Sequence, residues 1–223
     1  MPNGSLSLPA RLYLLAWDTA RLEVTRAAQL PALVRAGALI ELAQRGLLTD
    51  DDGIVTPLDL DSRTGDAVLD GLLELVHESL PHRWHTWVTL RAQVTLDAVR
   101  EQLVAEGYLR AEKKRVLGVF PSVEHVLERV GAVEALRTEA RQVLQGPEPV
   151  TGVSRGDAAV VVLAAAAELH TLLPAKERAP YHERLERLAE RSGTATATLR
   201  TAVPEVRAAL AAAVLAASPT AGG

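Results

Sequence analysis

The sequence predicts a mainly α fold, and three observations lead there. Hydrophobic residues make up 48% of the chain but aromatic ones only 3%, so the core must be built from Leu, Val and Ala, which suits packed helices better than a β-sandwich. Apolar residues recur at the three- and four-residue spacing of a buried helical stripe in most of the long segments. Cysteine is absent, so neither a disulfide framework nor a thiolate metal site can shape the fold. With 223 residues, one domain spanning 1–223 can bury a sizeable core. The expected architecture is a single-domain helical bundle around a central buried apolar helix, with two small β-hairpins.

Ala38, Leu39, Leu42 and Ala43 place a short helix after Arg35, and Gly46 supplies the left-handed stop that a helix C-terminus favours. Residues 47–57 read as a hairpin turning at Asp51-Asp52-Gly53. A second helix follows, with Thr64 or Asp66 as its N-terminal acceptor and Leu69, Leu72, Leu73 and Val76 as its buried stripe. Leu103-Val104-Ala105-Glu106-Gly107-Tyr108-Leu109 repeats the pattern of Leu42 to Leu48, ending a helix and entering the second hairpin. A helix over 122–144 would face Val123, Val126, Leu127, Val130, Leu136 and Val143 inward, and Gly146-Pro147-Glu148-Pro149 reads as a linker.

The longest apolar run, 158–173, is about 16 residues and carries Glu168 and His170, too short and too polar for the roughly 20 residues a bilayer core requires. It predicts the central buried helix, opened by Ser154 with Asp157. Residues 180–191 form another, with Tyr181, Leu185 and Leu188 inward, Gly193 as its stop and Glu183–Arg187 as a solvated pair. The last helix covers 204–217, with Val206, Leu210 and Val214 on one stripe, and 218–223 should fray.

GALIELAQRG before the first hairpin and TGDAVLD after it, in this order of elements, resemble the Golgi phosphoprotein family. Trp87-Val88-Thr89-Leu90 sits where members carry a Trp-apolar-x-Leu stretch, and LVAEGYL matches the family's helix-Gly-hairpin. The similarity covers residues 6–145, and beyond Pro147 it rests on the expectation of further amphipathic helices. The eukaryotic members are peripheral membrane proteins that read phosphatidylinositol 4-phosphate, so the resemblance implies a lipid-surface protein. It also implies a phosphate pocket built from a Trp and several Arg. Arg35 matches the arginine just before the G-x-L-I-E-L helix, where a phosphate would meet a guanidinium and free helix N–H groups together. The family's Trp falls near Arg26, and its paired arginines fall near Gln93 and Leu96, with Arg91 and Arg100 as neighbours. Trp17 could replace the aromatic, although it ends a Leu-rich stretch typical of a core. The expected headgroup-binding residues are thus Arg35, Arg26, Arg91 and Trp17. These departures mean that the resemblance implies anion binding more directly than phosphatidylinositol 4-phosphate specificity.

The two hairpins differ in charge. From 50 to 78 there are nine acids against one base, Arg63, whereas the second hairpin carries Arg110, Lys113, Lys114 and Arg115 against Glu112. Three net positive charges at about 1 kcal/mol each near an anionic leaflet supply roughly 3 kcal/mol, which calls for a second signal. That signal could be a headgroup pocket, apolar insertion by Val116, Leu117, Val119 or Phe120, or several copies of the chain. Lys113, Lys114, Arg115 and Leu117 are the expected membrane contact, with a homo-oligomer through this hairpin as a further expectation.

Helix followed by hairpin also fits a winged-helix-like nucleic-acid-binding protein, the alternative reading. Net charge −4, an acidic first hairpin and the lack of Arg, Lys, Asn and Gln clusters on the preceding helices count against it. No phosphate-cradling glycine loop, G-x-S-x-G elbow or H-E-x-x-H helix is present, so an enzyme is not expected, nor a cofactor. His77, His82 and His85 near Glu74 and Glu78 are the closest approach to a metal pattern, but their spacing is loose and no metal is expected. Met-Pro-Asn-Gly and Arg11 do not form a secretory signal, which predicts a cytoplasmic protein on the inner face of the cell membrane. Only Lys113, Lys114 and Lys176 are lysine among 24 basic residues, and Asn3 is the single asparagine, a bias expected of a GC-rich bacterial genome.

Overall fold

The computed structural model describes residues 6–59, 61–116 and 120–217, and the side chains of all of these except 114–116, 120–122 and 175. Leu117 and the tail 218–223, both singled out above, lie outside the described residues. The chain is mainly α with small antiparallel hairpins, as the composition predicts. Its hydrophobic core runs as one cluster from Leu8 to Leu210.

Helix α1 (Leu8–Leu15) lies along α2 (Leu30–Gln44), and a short hairpin of β1 (Trp17–Asp18) and β2 (Glu23–Val24) joins them. The G-A-L-I-E-L segment does structural work at that contact. A Cβ on Gly37 would lie 2.6 Å from Leu12 Cδ1 and 3.2 Å from the Pro9 Cα, so the two helices approach this closely because no side chain intervenes. The Leu8 amide donates to Glu41 Oε2 at 2.6 Å, so the motif's glutamate caps the first helix from across the interface.

Two features of α2 differ from expectation. It starts at Leu30, with Pro31 in its first turn, about a turn and a half before Arg35. It is also buried nearly all round, packing against α1, α3 (Ala67–Glu78), α4 (Trp84–Thr89), α5 (Ala92–Ala105), α7 (Arg155–Ala166) and α9 (Ala197–Ala217). A helix with no polar face gives no amphipathic boundary to read, and the Leu-Pro pair is the only start signal.

After Gly46 come β3 (Leu48–Asp51) and β4 (Ile54–Pro57), turning through Asp52 and Gly53 with φ of 50° and 80°. That two-residue turn with both φ positive is the one whose twist suits a hairpin. Strand β5 (His82–Arg83) pairs with β4 to complete a three-stranded sheet. Asp66 caps α3 by accepting from the Val68 and Leu69 amides, while Asp70 accepts from both the amide and the hydroxyl of Thr64.

The second hairpin is longer than expected. Strands β6 (Leu109–Val116) and β7 (Phe120–Leu127) pair from Leu109↔Leu127 to Val116↔Phe120, so residues 122–127 belong to a strand and α6 (Val130–Gln145) begins only afterwards. Leu42 and Leu103 accept from the third residue past their helices, Leu47 and Tyr108, at 3.0 and 2.8 Å, around left-handed Gly46 and Gly107. Both units therefore stop in the same way.

In the C-terminal third, Ser154 caps α7 through the Asp157 amide as expected. The helix ends at Ala166 rather than Leu173, because Glu168 turns left-handed at φ 54° and the Leu169 amide closes back on the Ala164 carbonyl at 3.0 Å. Residues 158–165 are buried, so the core has two enclosed helices, α2 and α7, in place of the single central one predicted. Helix α8 (His182–Gly193) follows, and α9 starts at Ala197 with Pro204 inside it instead of at its head. Among the described residues no helix is long and apolar enough to cross a membrane.

Candidate functional site

Arg35 sits in the second turn of α2 and is fully removed from solvent. Its Nε donates to Thr95 Oγ1 at 2.7 Å and its Nη2 to the Arg91 carbonyl at 2.9 Å, with a longer 3.5 Å contact from Nη1 to the Trp87 carbonyl. All three partners are neutral, and no carboxylate lies within 4.0 Å among the described residues. Burial pushes its pKa down to about 10, so the group remains a cation at neutral pH. An enclosed charge without a counter-ion is costly even when hydrogen-bonded.

The expectation that Arg35 stands at a helix N-terminus is corrected. The helix end beside it belongs to α5, which begins after Arg91, a residue held left-handed at φ 50° and fastened by the Arg35 bond to its carbonyl. No side chain caps this end, so first-turn N–H groups of α5 remain for a ligand or water. Arg35, Arg91 and Thr95 line a cleft of about 230 Å³, closed on its other side by the α3 residues Leu72, Glu74 and Glu78.

Arg26 and Trp17 do not line this cleft. Arg26 is left-handed at φ 55° and pairs with Glu168 at 3.2 Å, while Arg178 approaches the same carboxylate at 3.5 Å. Trp17 is 1% exposed, meets Tyr13 edge-on at 6.5 Å between ring centroids, and its carbonyl accepts from Arg137 Nη2 at 2.6 Å. These contacts tie the β1–β2 segment to α6 and to the end of α7. Thr95 escaped sequence reasoning. It falls between Gln93 and Leu96, where the resemblance placed arginines, and nothing local shows that its hydroxyl meets a cation 60 residues earlier.

Along the second hairpin burial falls from Leu109 and Leu127, both core residues, to exposed Lys113 and Val123. Strand β7 adds Glu124, so the paired strands carry four bases against Glu112 and Glu124, a net charge of +2 rather than +3. Arg110 is bound to Glu112 and Glu128, each at 2.5 Å, and those carboxylates raise its pKa. In sequence, the other bases of the hairpin, Lys113, Lys114 and Arg115, lie toward its tip. The histidines do not converge: His82 lies edge-on to Trp87 at 5.2 Å, and the described residues contain no group of three metal-ligating side chains.

Residues 8–213 match the family model described as Golgi phosphoprotein 3 (GPP34). The chain belongs to this family. The match continues through α7, α8 and most of α9, well past the residues that carry the resemblance in the sequence. No curated protein matches the chain. Within the GPP34 fold, the helix preceding the first hairpin is α2, whose enclosure leaves no face to lie in a nucleic-acid groove.

Proposed function

We propose that this GPP34-family chain is a non-catalytic peripheral membrane protein that binds phospholipid headgroups on an anionic surface, cytoplasmic and on the inner leaflet. The observation that carries this reading is the Arg35–Arg91 cleft. Exposed Arg91 beside an uncapped helix N-terminus, with the buried Arg35 cation held behind it without a carboxylate partner, is an environment of positive potential that favours a phosphate at the surface. Family membership supports the same reading, and the basic second hairpin, on which Lys113 is exposed, offers the long-range attraction. Net +2 at about 1 kcal/mol per charge gives roughly 2 kcal/mol, so hairpin and cleft are both required for stable attachment. Phosphatidylinositol 4-phosphate is one candidate headgroup, and a second copy joined through the hairpin would add avidity.

Co-sedimentation with phosphatidylcholine vesicles, with and without phosphatidylglycerol, alongside duplex DNA at the same salt, tests the reading. Retention by the phosphatidylglycerol vesicles, fading as salt rises, is the expected result; retention by DNA alone would replace it with the winged-helix alternative. Arg91→Asn removes the charge at the cleft while suiting a left-handed position, and should weaken vesicle binding by about 1.5–3 kcal/mol, the scale of a charged hydrogen bond. Arg35→Ala is a poorer probe, because it also deletes three hydrogen bonds from the core.

A further inference from the structure

A groove of about 470 Å³ runs between α7, α8 and α9, and it shares no residue with the Arg35–Arg91 cleft or the second hairpin. Near the α8–α9 turn the chain leaves no room, since a Cβ on Gly193 would lie 3.1 Å from the Leu199 carbonyl oxygen. Further along α9 the short side chains of Ala208 and Ala211 leave a space floored by Val162 and Ala165 of α7 and Leu185 of α8. Those three floor residues are buried, while Ala208, Ala211 and the neighbouring Leu215 are exposed. No side chain from 208 to 217 is polar. A helix at the surface usually turns a polar face to water, so the bare stretch of α9 beside an apolar floor suits an apolar occupant.

One end of the groove is cationic. Glu168 stands there in the left-handed conformation at φ 54°, a position that glycine takes at lower cost. Its carboxylate is approached by two guanidiniums, Arg26 at 3.2 Å and Arg178 at 3.5 Å. One carboxylate cannot neutralise both. Arg178 lines the groove, makes no hydrogen bond among the described residues, and keeps its Nε shielded from solvent without an acceptor. The His182 side chain lines the same space and makes no hydrogen bond there either. Arg207, by contrast, is occupied by Glu186 through two bonds of 2.8 and 3.2 Å. The excess positive charge therefore sits with Arg178, whose unused donors call for an anionic acceptor.

We propose that this groove binds a medium-chain fatty carboxylate, with the acyl chain over Val162, Ala165, Leu185 and Ala211 and the carboxylate on the fork of Arg178. The planar guanidinium matches a carboxylate in shape as well as charge. The volume falls within the roughly 300–1,000 Å³ of ligand clefts. From Pro204 to Ala211 the lining of α9 extends about 10 Å at the helical rise, the length of roughly eight carbons in extended form.

Calorimetric titration of the full chain with straight-chain carboxylates from hexanoate to hexadecanoate, each below its micellar concentration, tests the proposal. A bounded groove predicts saturable binding that strengthens about fourfold per methylene up to about ten carbons and then levels off. A slope that continues unchanged to hexadecanoate means adsorption to an open apolar surface and overturns the site. Decanoate should bind about tenfold more tightly than decanol, the gain of one charged contact, and Arg178→Gln should bring decanoate down to the level of decanol. Equal binding of the acid and the alcohol in wild type, or an acid preference that survives Arg178→Gln, overturns the carboxylate assignment.

Ala208→Leu fills the groove from an exposed helical position, so it should abolish binding of both compounds while the denaturant midpoint stays level or rises. Ala211→Leu, from the same face, makes the same test if the first variant lowers the midpoint. Decanoate binding that persists in a folded filled variant places the ligand elsewhere and overturns the proposal, as does the absence of saturable decanoate binding in the millimolar range. None of these outcomes depends on whether the protein is retained by anionic vesicles.

Discussion

The two helix–glycine–hairpin units begin alike and end differently. Each closes its helix with the same pair of backbone bonds around a left-handed glycine, Gly46 in one and Gly107 in the other. The first hairpin then folds back onto the body: Val55 and Leu48 are buried, β5 adds a third strand, and Trp84 Nε1 donates to Asp50 Oδ2 at 2.5 Å. The second has twice the strand length and loses burial beyond its base, where Lys113 faces Val123 across the ladder and Glu112 faces Glu124. A glycine stop fixes where a strand starts. Whether the resulting hairpin lies on the core or stands off it depends on what its strands bury, and among the described side chains of β6 and β7 only Leu109 and Leu127 are buried.

This division predicts that changes to the second hairpin act on binding and changes to the first act on stability. The largest effect should come from Lys113→Glu with Lys114→Glu, which shifts the local charge by four units and so removes about 4 kcal/mol of attraction to an anionic surface, roughly a thousandfold in affinity. Folding should hardly change, since Lys113 is exposed. Unaltered, salt-sensitive sedimentation of that variant would move the electrostatic contact off this hairpin altogether.

A matched pair of valines sharpens the contrast at a smaller scale. Val55 is fully buried in β4 and Val123 is 55% exposed in β7, so the same chemical deletion reports on two environments. Val55→Ala should cost about 2 kcal/mol in a denaturant titration, from lost burial and the cavity left behind, while Val123→Ala should stay within about 0.5 kcal/mol. Equal losses would mean that the second hairpin is packed against something in solution, a second copy of the chain above all.

Local signals were legible wherever the backbone itself required a particular residue. Gly46, Gly107 and the Asp52-Gly53 turn mark their left-handed positions, and Asp66 and Ser154 mark helix starts. Misreadings arose where a pattern had two solutions. Val123, Val126 and Leu127 have helical spacing, yet Val123 is exposed on a strand whose two faces both meet solvent and therefore lacks strict alternation. Pro204 is a common first helical residue but here interrupts α9 from within, and Glu168 adopts the left-handed stop that a glycine would have advertised. The cleft was the least legible part. Its charges come from α2, α3 and the start of α5, and Arg35 could be placed there only once α2 was known to begin at Leu30.

The smallest effect concerns acid. Asp70, close to the first hairpin's sheet, is pushed up by burial, but the Thr64 amide at 2.6 Å and hydroxyl at 2.7 Å, with the Gly65 amide and Arg63, hold its pKa below the ordinary aspartate value. A folded-state value below the unfolded one means that its contribution is fully present above the unfolded carboxylate range and is lost as pH falls through the folded value. On a partly exposed residue that contribution should stay under about 1 kcal/mol. Arg110 on the second hairpin shifts in the opposite direction: Glu128 and Glu112 raise the pKa of a group already protonated at neutral pH, so its own titration bears only on strongly alkaline solutions. Denaturant midpoints of wild type and Asp70→Asn should therefore differ at pH 7 and converge toward pH 3, and a constant gap would show that the Thr64–Asp70 contact does not depend on the ionised carboxylate.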